Sequence, residues 1–249
     1  MVQGIEKFKA EFSQFSSQYV LIGGTACSIL LEERNSEFRA TKDLDIVLVI
    51  EALREDFVEA FYSFIKKGDY EHIAKNQEQQ YYRFSKPQDS SFPAMLELFS
   101  RKPDYLKTIE TRLASIHVSD DLISLSAILL DDDYYKLITD GSVKVDNISV
   151  LRIEYLLIFK MKAWLDLSER KNKGENVDSK DIRKHKNDVI RLAINIEGET
   201  KIALPEKIKE DASRFLVEMK NNPVDLKSLR INNIQFKDII ERIENCFGL

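Results

Sequence analysis

Asp43 and Asp45 open a run, DLDIVLVI over 43–50, that otherwise holds only aliphatic residues. In a strand, residues two apart project from one face about 6–7 Å from each other. The spacing therefore predicts two carboxylates side by side at one strand end. Unrelieved, such charges repel and raise each other's pKa. A divalent cation removes the conflict: Mg²⁺ or Mn²⁺ takes hard oxygen ligands and completes its shell with water and substrate phosphates. Two such ions about 4 Å apart clamp the attacking and leaving oxygens of a phosphoryl-type displacement.

A second motif lies some twenty residues earlier, in YVLIGGTACSILL over 19–31. Gly23-Gly24 lets backbone approach a ligand closely, and Thr25 offers a hydroxyl at a helix start. The unsatisfied N–H groups and dipole of that end favour an anion such as a triphosphate. A third acid would complete a metal cluster. The best candidate is Glu97 in FPAMLELFSR, a lone carboxylate in an apolar strand-like run, costly there unless paired or metal-bound. Each feature alone has an ordinary explanation: a glycine pair is a turn, DLD a strand end, Glu97 a rim residue. Their order along the chain is what points to a nucleotide-handling site, with Asp43, Asp45 and Glu97 as metal ligands and Gly23, Gly24 and Thr25 around the phosphates.

Hydrophobic periodicity predicts the elements that must hold these residues. Ile5, Phe8, Phe12 and Phe15 fall at helical spacing within 4–17. A short buried strand follows at 19–22, a helix at 25–34 and a strand at 44–50. Phe57, Phe61 and Phe64 mark one face of a helix over 54–67. Strands are expected near 70–74, 79–85, 93–99 and 115–118. The stretch 121–147 is ambiguous, with DDDYY at 131–135 read as a solvated turn and TDGSVKVD as a hairpin turn. From Arg152 the pattern is helical, over 152–169, 178–196, 205–220 and 235–246, with a charged loop at 169–180. The expected architecture is α+β: a mixed sheet flanked by helices over 1–150, then a mainly helical lobe over 151–249, with a groove between them. Trp164 is expected in the core, and His72 and His117 have no partner at ligand spacing.

The chain has 249 residues, 43% hydrophobic and 32% charged, as is usual for a globular protein. A net charge of −5 argues against a uniformly basic nucleic-acid coat, though not against a local basic patch. Cys27 and Cys246 are too few for a disulfide framework. No signal-like segment and no apolar run near the ~20 residues of a membrane span appear. The default expectation is a cytoplasmic protein without a membrane partner.

Ile22-Gly23-Gly24 and Asp43-Leu44-Asp45-Ile46 resemble the signature of the DNA polymerase β-like nucleotidyltransferases: a hydrophobic residue, Gly, Gly or Ser, then acid-x-acid between hydrophobics. GGTACSILLEERNSEFRATKDLDI is most similar to the AbiEii-type group, toxins of toxin–antitoxin and abortive-infection systems. That group shows GGT-A-x-x-L and R-x-T-x-D-h-D, the second filled here by Arg39 and Thr41. Its later Lys-x-x-Ala-Leu helix is matched by Lys160 and Ala163, with Trp164 in the Leu place, and its following helix by Lys180-Asp181. The resemblance implies transfer of a nucleoside monophosphate from an NTP, with Mg²⁺ or Mn²⁺, to an acceptor hydroxyl. The implied acceptor is RNA (tRNA in some relatives) or protein, in a toxin opposed by an antitoxin protein. Lys160 or Lys162 would neutralise the triphosphate, Arg39 and Thr41 would assist, and Asp181 would orient the lysine or act as a base, with His185 one turn on. RKHKNDVIR adds positive charge that either meets an acceptor nucleic acid or is an exposed face. Two other functions fit the same fold: an NTP-binding module without turnover, and a small-molecule, antibiotic-modifying nucleotidyltransferase.

Overall fold

The coordinates are those of a computed structural model, which describes residues 2–34, 38–39, 41–76, 81–100, 128–129 and 131–249, with the backbone alone at 71–76 and 81. The expected strand at 115–118, His117 and most of the ambiguous stretch up to 130 lie outside these residues. The architecture is α+β, as the periodicity predicts. Two compact units form: residues 1–118 with 135–152, and residues 119–134 with 153–249.

The first unit is built on a mixed seven-stranded sheet. Its elements run α1 (Ile5–Phe12), β1 (Tyr19–Ile22), α2 (Gly23–Glu33), β2 (Asp43–Leu48), α3 (Glu55–Gly68), β3 (Tyr70–Asn76), β4 (Tyr81–Pro87) and β5 (Met95–Phe99). The chain then enters α4 (Asp132–Asp140), which straddles the division between units, and returns as β6 (Ser142–Val145) and β7 (Ile148–Leu151). Strand order is β3-β4-β5-β2-β1-β7-β6. β2 lies between an antiparallel β1 and a parallel β5, so β5 joins the sheet as the neighbour of a strand some fifty residues earlier.

The helical phenylalanines have a common destination. Phe8, Phe12, Phe57, Phe61 and Phe64 are all buried in one aromatic cluster, in which Phe8, Phe12 and Phe57 meet Tyr19 of β1; centroid distances include 4.5 Å for Phe8–Phe12 and 5.4 Å for Phe8–Tyr19. Phe61 also meets Phe84 of β4 edge-on at 5.7 Å. Aromatic pairs of this kind add to plain area burial. α1 and α3 thus cover the sheet face that carries Tyr19 and Phe84. Because side chains alternate along a strand, residues one step away in sequence, Arg83 among them, project from the opposite face.

Two sequence expectations need correction here. DDDYY is not a solvated turn. Asp131 accepts hydrogen bonds from the backbone N–H groups of Asp133 and Tyr134 and so caps α4, whose Tyr134 and Tyr135 are 1% and 4% exposed. Acids favour the first turn of a helix for the same electrostatic reason. The hairpin turn falls later than TDG. Asp146 and Asn147, both at positive φ (47° and 65°), join β6 to β7, as a two-residue hairpin of the I′ kind requires.

The described part of the second unit is helical: α5 (Ile153–Asn172), α6 (Ser179–Ala193), α7 (Glu206–Asn221) and α8 (Phe236–Phe247). Residues 153–161 of α5 are buried all round, so this is a central helix rather than an amphipathic one. α6 begins where the Asp178 carboxylate accepts the Lys180 N–H at 2.8 Å. α8 opens with a capping box between Gln235 and Asp238 and ends at Gly248. Trp164 is half-buried and meets Phe215 edge-on at 5.3 Å. Among the described residues no helix is long and apolar enough to cross a membrane.

Candidate functional site

Strand register places the three acids. In the β2–β5 pairing Asp43 stands opposite Met95 and Asp45 opposite Glu97. Asp43 and Asp45 project from one face of β2, and a residue directly across a ladder shares its partner's face. The three carboxylates therefore gather on the face opposite the phenylalanine cluster. One strand further, Arg83 of β4 is paired with Glu97 in the same row. On the other side Ile22, the last residue of β1, stands opposite Asp45, so the row ends where α2 begins.

Gly23 shows why that turn takes glycine. Its φ is +66°, and a Cβ there would lie 1.8 Å from Asp45 Oδ2. Any side chain would collide with the carboxylate, and the left-handed backbone disfavours one independently. At Gly24 an added Cβ would lie 2.8 Å from Thr41 Oγ1, so Thr41 packs over this turn. The first turn of α2 thus lies directly against Asp45. Its N–H groups and positive dipole end favour negative charge beside the acids. Thr25 has a different part from the expected one. It is fully buried and its hydroxyl donates to the Asp43 carbonyl oxygen at 2.6 Å, tying α2 to β2 rather than facing a phosphate. Arg39, partly exposed, lies with its guanidinium 5.4 Å from the Phe38 ring.

Glu97 is the electrostatic centre. It is 4% exposed, and its Oε1 accepts from Arg83 Nε at 2.8 Å and lies 2.7 Å from Arg83 Nη2. Burial, then the adjoining Asp45 carboxylate and a hydrogen bond with it, hold the Glu97 carboxyl well above the usual carboxylate range; Arg83 opposes the shift and Asp43 adds to it. A hydrogen bond between two carboxyl groups needs a proton between them.

Among the described residues no three His, Cys, Asp or Glu side chains stand in ligating positions around one point. The donor set nevertheless fits a divalent cation in chemistry. Asp43, Asp45 and Glu97 supply hard oxygen donors from adjacent strands, and a positive charge beside them would relieve the repulsion between Asp45 and Glu97.

The remaining predicted residues belong to the second unit. Lys160 is 7% exposed on α5, and its Nζ lies 3.3 Å from Asp188 Oδ2 on α6. The carboxylate that holds this lysine is therefore Asp188, itself 1% exposed, and not Asp181 as the resemblance implies. Two helical turns separate those acids along α6. Asp181, in the first turn of α6, has Lys184 at 3.7 Å. Lys162 binds Asp211 at 2.7 Å. His185 is buried. Arg83 escaped the sequence reading. Its only signal is a charge inside YYRFS, at a position whose neighbours Tyr82 and Phe84 are apolar and face the other way. No protein-family model and no curated protein matches the chain.

Proposed function

We propose that the chain is a divalent-metal-dependent nucleotidyltransferase whose site lies in the first unit, on the sheet face carrying Asp43, Asp45 and Glu97. The observation that supports this best is a single juxtaposition: acids in register on β2 and β5, with the Asp45 carboxylate pressed against a glycine turn that opens a helix. Acids alone occur at many surfaces. Acids beside unsatisfied backbone N–H groups offer a polyphosphate and its counter-cation one place to bind together.

In this reading Mg²⁺ or Mn²⁺, held by Asp43, Asp45 and Glu97, supplies charge neutralisation for an NTP. The N–H groups at Gly23 and Gly24 orient the phosphate chain, and Thr25 fixes α2 against β2 so that this geometry persists. Thr41 fills the space over Gly24, and Arg39, four residues before Asp43, adds positive charge. An acceptor hydroxyl then forms a new O–P bond at the α-phosphate while the α–β anhydride bond breaks. Pyrophosphate leaves and the hydroxyl proton passes to solvent or a carboxylate. Positioning and charge neutralisation carry most of the catalysis in such displacements. The acceptor is an RNA such as tRNA or a protein side chain, and the biological setting is a toxin opposed by an antitoxin. Both rest on the sequence likeness at GGTA and Arg39-x-Thr41-x-Asp43.

Incubation with each α-³²P-labelled NTP, Mg²⁺ and total tRNA or cell extract tests the reading. The expected result is metal-dependent label transfer that Asp45→Asn lowers by at least ~100-fold. Failure to label any acceptor with any NTP, by a protein shown to be folded, would count against it.

A further inference from the structure

The outer face of α6, in the second unit, carries charge of one sign. At 3.6 residues per turn, Lys180, Arg183, Lys184, Asn187 and Arg191 fall within about 100° of arc, on a stripe about 16 Å long. Lys180 and Arg183 are exposed and the other three partly so, while His185, Asp188, Val189 and Leu192 are buried on the remaining sides. The stripe holds four cations and an amide, with no acid and no apolar side chain. Asp181 stands at its flank, 3.7 Å from Lys184. Lys180, Arg183 and Arg191 make no ion pair among the described residues.

The other exposed helix faces of this unit are built differently. Lys207 and Arg214 of α7 meet Asp131 and Glu169, Lys220 meets Glu244 of α8 at 2.6 Å, and Lys237 of α8 meets Glu241 at 3.3 Å. Interleaved charges of this kind make an ordinary solvated face. On α6, Lys180 stands three and four residues from Arg183 and Lys184, a spacing at which like charges repel. Lys180 also lies in the first turn, where the helix dipole disfavours a cation. The face opposes the helix that bears it and suits a line of negative charge laid along it.

We propose that this stripe of α6 binds the phosphate backbone of RNA. Arg, Lys and Asn side chains hold phosphates through charge and hydrogen bonds alone, without reading the bases. A protein partner would need an apolar core in its interface, and a membrane surface an apolar face to insert; the stripe has neither. The choice of RNA over DNA rests on the nucleotidyltransferase reading, which takes RNA or protein as acceptor, whereas the phosphate-binding face stands on α6 alone. Its consequence for that reading is an RNA acceptor rather than a protein one.

Fluorescence anisotropy of end-labelled total tRNA, titrated with the full chain in EDTA over a series of KCl concentrations, tests this without metal, NTP or turnover. The wild type is expected to bind with a slope of log affinity against log salt of about −2 to −4. Lys180→Gln, Arg183→Gln and Arg191→Gln together should weaken binding at least about tenfold at about 0.1 M salt and flatten that slope by about 2 to 3. Lys220→Gln, Lys227→Gln and Lys237→Gln remove the same charge elsewhere in the unit and should leave both nearly unchanged. Wild-type binding in the α6 variant, no tRNA bound by folded wild type, or tighter binding of duplex DNA than of tRNA would overturn the proposal. Transfer of label to protein without tRNA binding would sink the α6 surface and spare the acid site. A wild type that binds tRNA through α6 yet labels no acceptor would do the reverse. Should the triple variant not fold, Lys180→Gln with Arg183→Gln, both at exposed positions, is read in the same way, with a slope change of about 1 to 2.

Discussion

Buried carboxylates occur in both units, and they are treated differently. In the second unit Asp188 and Asp211 are met by cations: Asp188 faces Lys160 at 3.3 Å, and Asp211 binds Lys162 at 2.7 Å, accepts from the Tyr134 hydroxyl at 2.8 Å and has Arg214 at 3.6 Å. In the first unit three carboxylates are brought into register on adjacent strands, and burial and Asp45 drive Glu97 toward its neutral form in spite of Arg83. Acids matched one to one are parts of the packing, and removing one leaves an uncompensated charge. Acids gathered together oppose folding, and a chain retains them where a ligand's positive charge completes the set.

The largest expected effect separates these two kinds of acid. Asp45→Asn should lower nucleotidyl transfer at least ~100-fold yet raise the metal-free unfolding free energy, because it relieves repulsion with Glu97. Asp188→Asn should instead lower the unfolding free energy by about 3–5 kcal/mol, since Lys160 is left buried without its carboxylate. Urea unfolding of both variants checks this, and loss of stability in both would erase the distinction. Lys160→Met combined with Asp188→Leu should recover much of that loss, because a buried pair replaced by apolar groups of similar size is often neutral.

A pH series sharpens the contrast. A carboxyl whose folded pKa is raised binds its proton more tightly in the native state than in the unfolded chain. Its contribution is present in full below the unfolded value, near 4.5, and is lost as the pH rises from there toward the raised folded value. Metal-free wild type should therefore lose stability through Glu97 as the pH rises above about 4.5, and Mg²⁺ should restore it at the high-pH end. Melting curves from pH 4 to 8, with and without Mg²⁺, measure this, and Glu97→Gln should flatten the metal-free trend.

Smaller effects belong to satisfied groups. Burial and the Asp211 carboxylate push the Tyr134 hydroxyl up, and Tyr134→Phe should cost about 1–2 kcal/mol for the lost bond to a charged acceptor. The smallest belongs to Asp89. Hydrogen bonds from Ser91 and Lys7 draw its carboxyl down to about 2. That contribution is present above the ordinary value near 3.8 and fades as the pH falls through 2, so at pH 7 Asp89→Asn should move the melting temperature by no more than about 1 °C, as for an exposed pair.

The sequence makes the acids legible because strand periodicity is local: Asp43 and Asp45 two apart, and Glu97 flanked by leucines, announce themselves without a partner strand. Their pairing is not local. Nothing in FPAMLELF says that β5 runs parallel to β2 with Glu97 opposite Asp45 rather than Asp43, since that register is set by packing across the whole sheet. Arg83 and Lys160 show the same limit from the cationic side. The sequence passes over Arg83 and offers Lys160 to a triphosphate, because the carboxylates found against them, Glu97 and Asp188, lie on other elements. Thr25 reads as a ligand hydroxyl for the converse reason, because its acceptor, the Asp43 carbonyl, lies 18 residues away.

The most direct test is a crystal grown with Mn²⁺ and a non-hydrolysable NTP analogue, examined by anomalous scattering. The account predicts a manganese peak in contact with the Asp43 and Asp45 carboxylates, with the analogue's phosphates against the N–H groups at Gly23 and Gly24. A nucleotide bound elsewhere, with no metal beside Asp45, would contradict it.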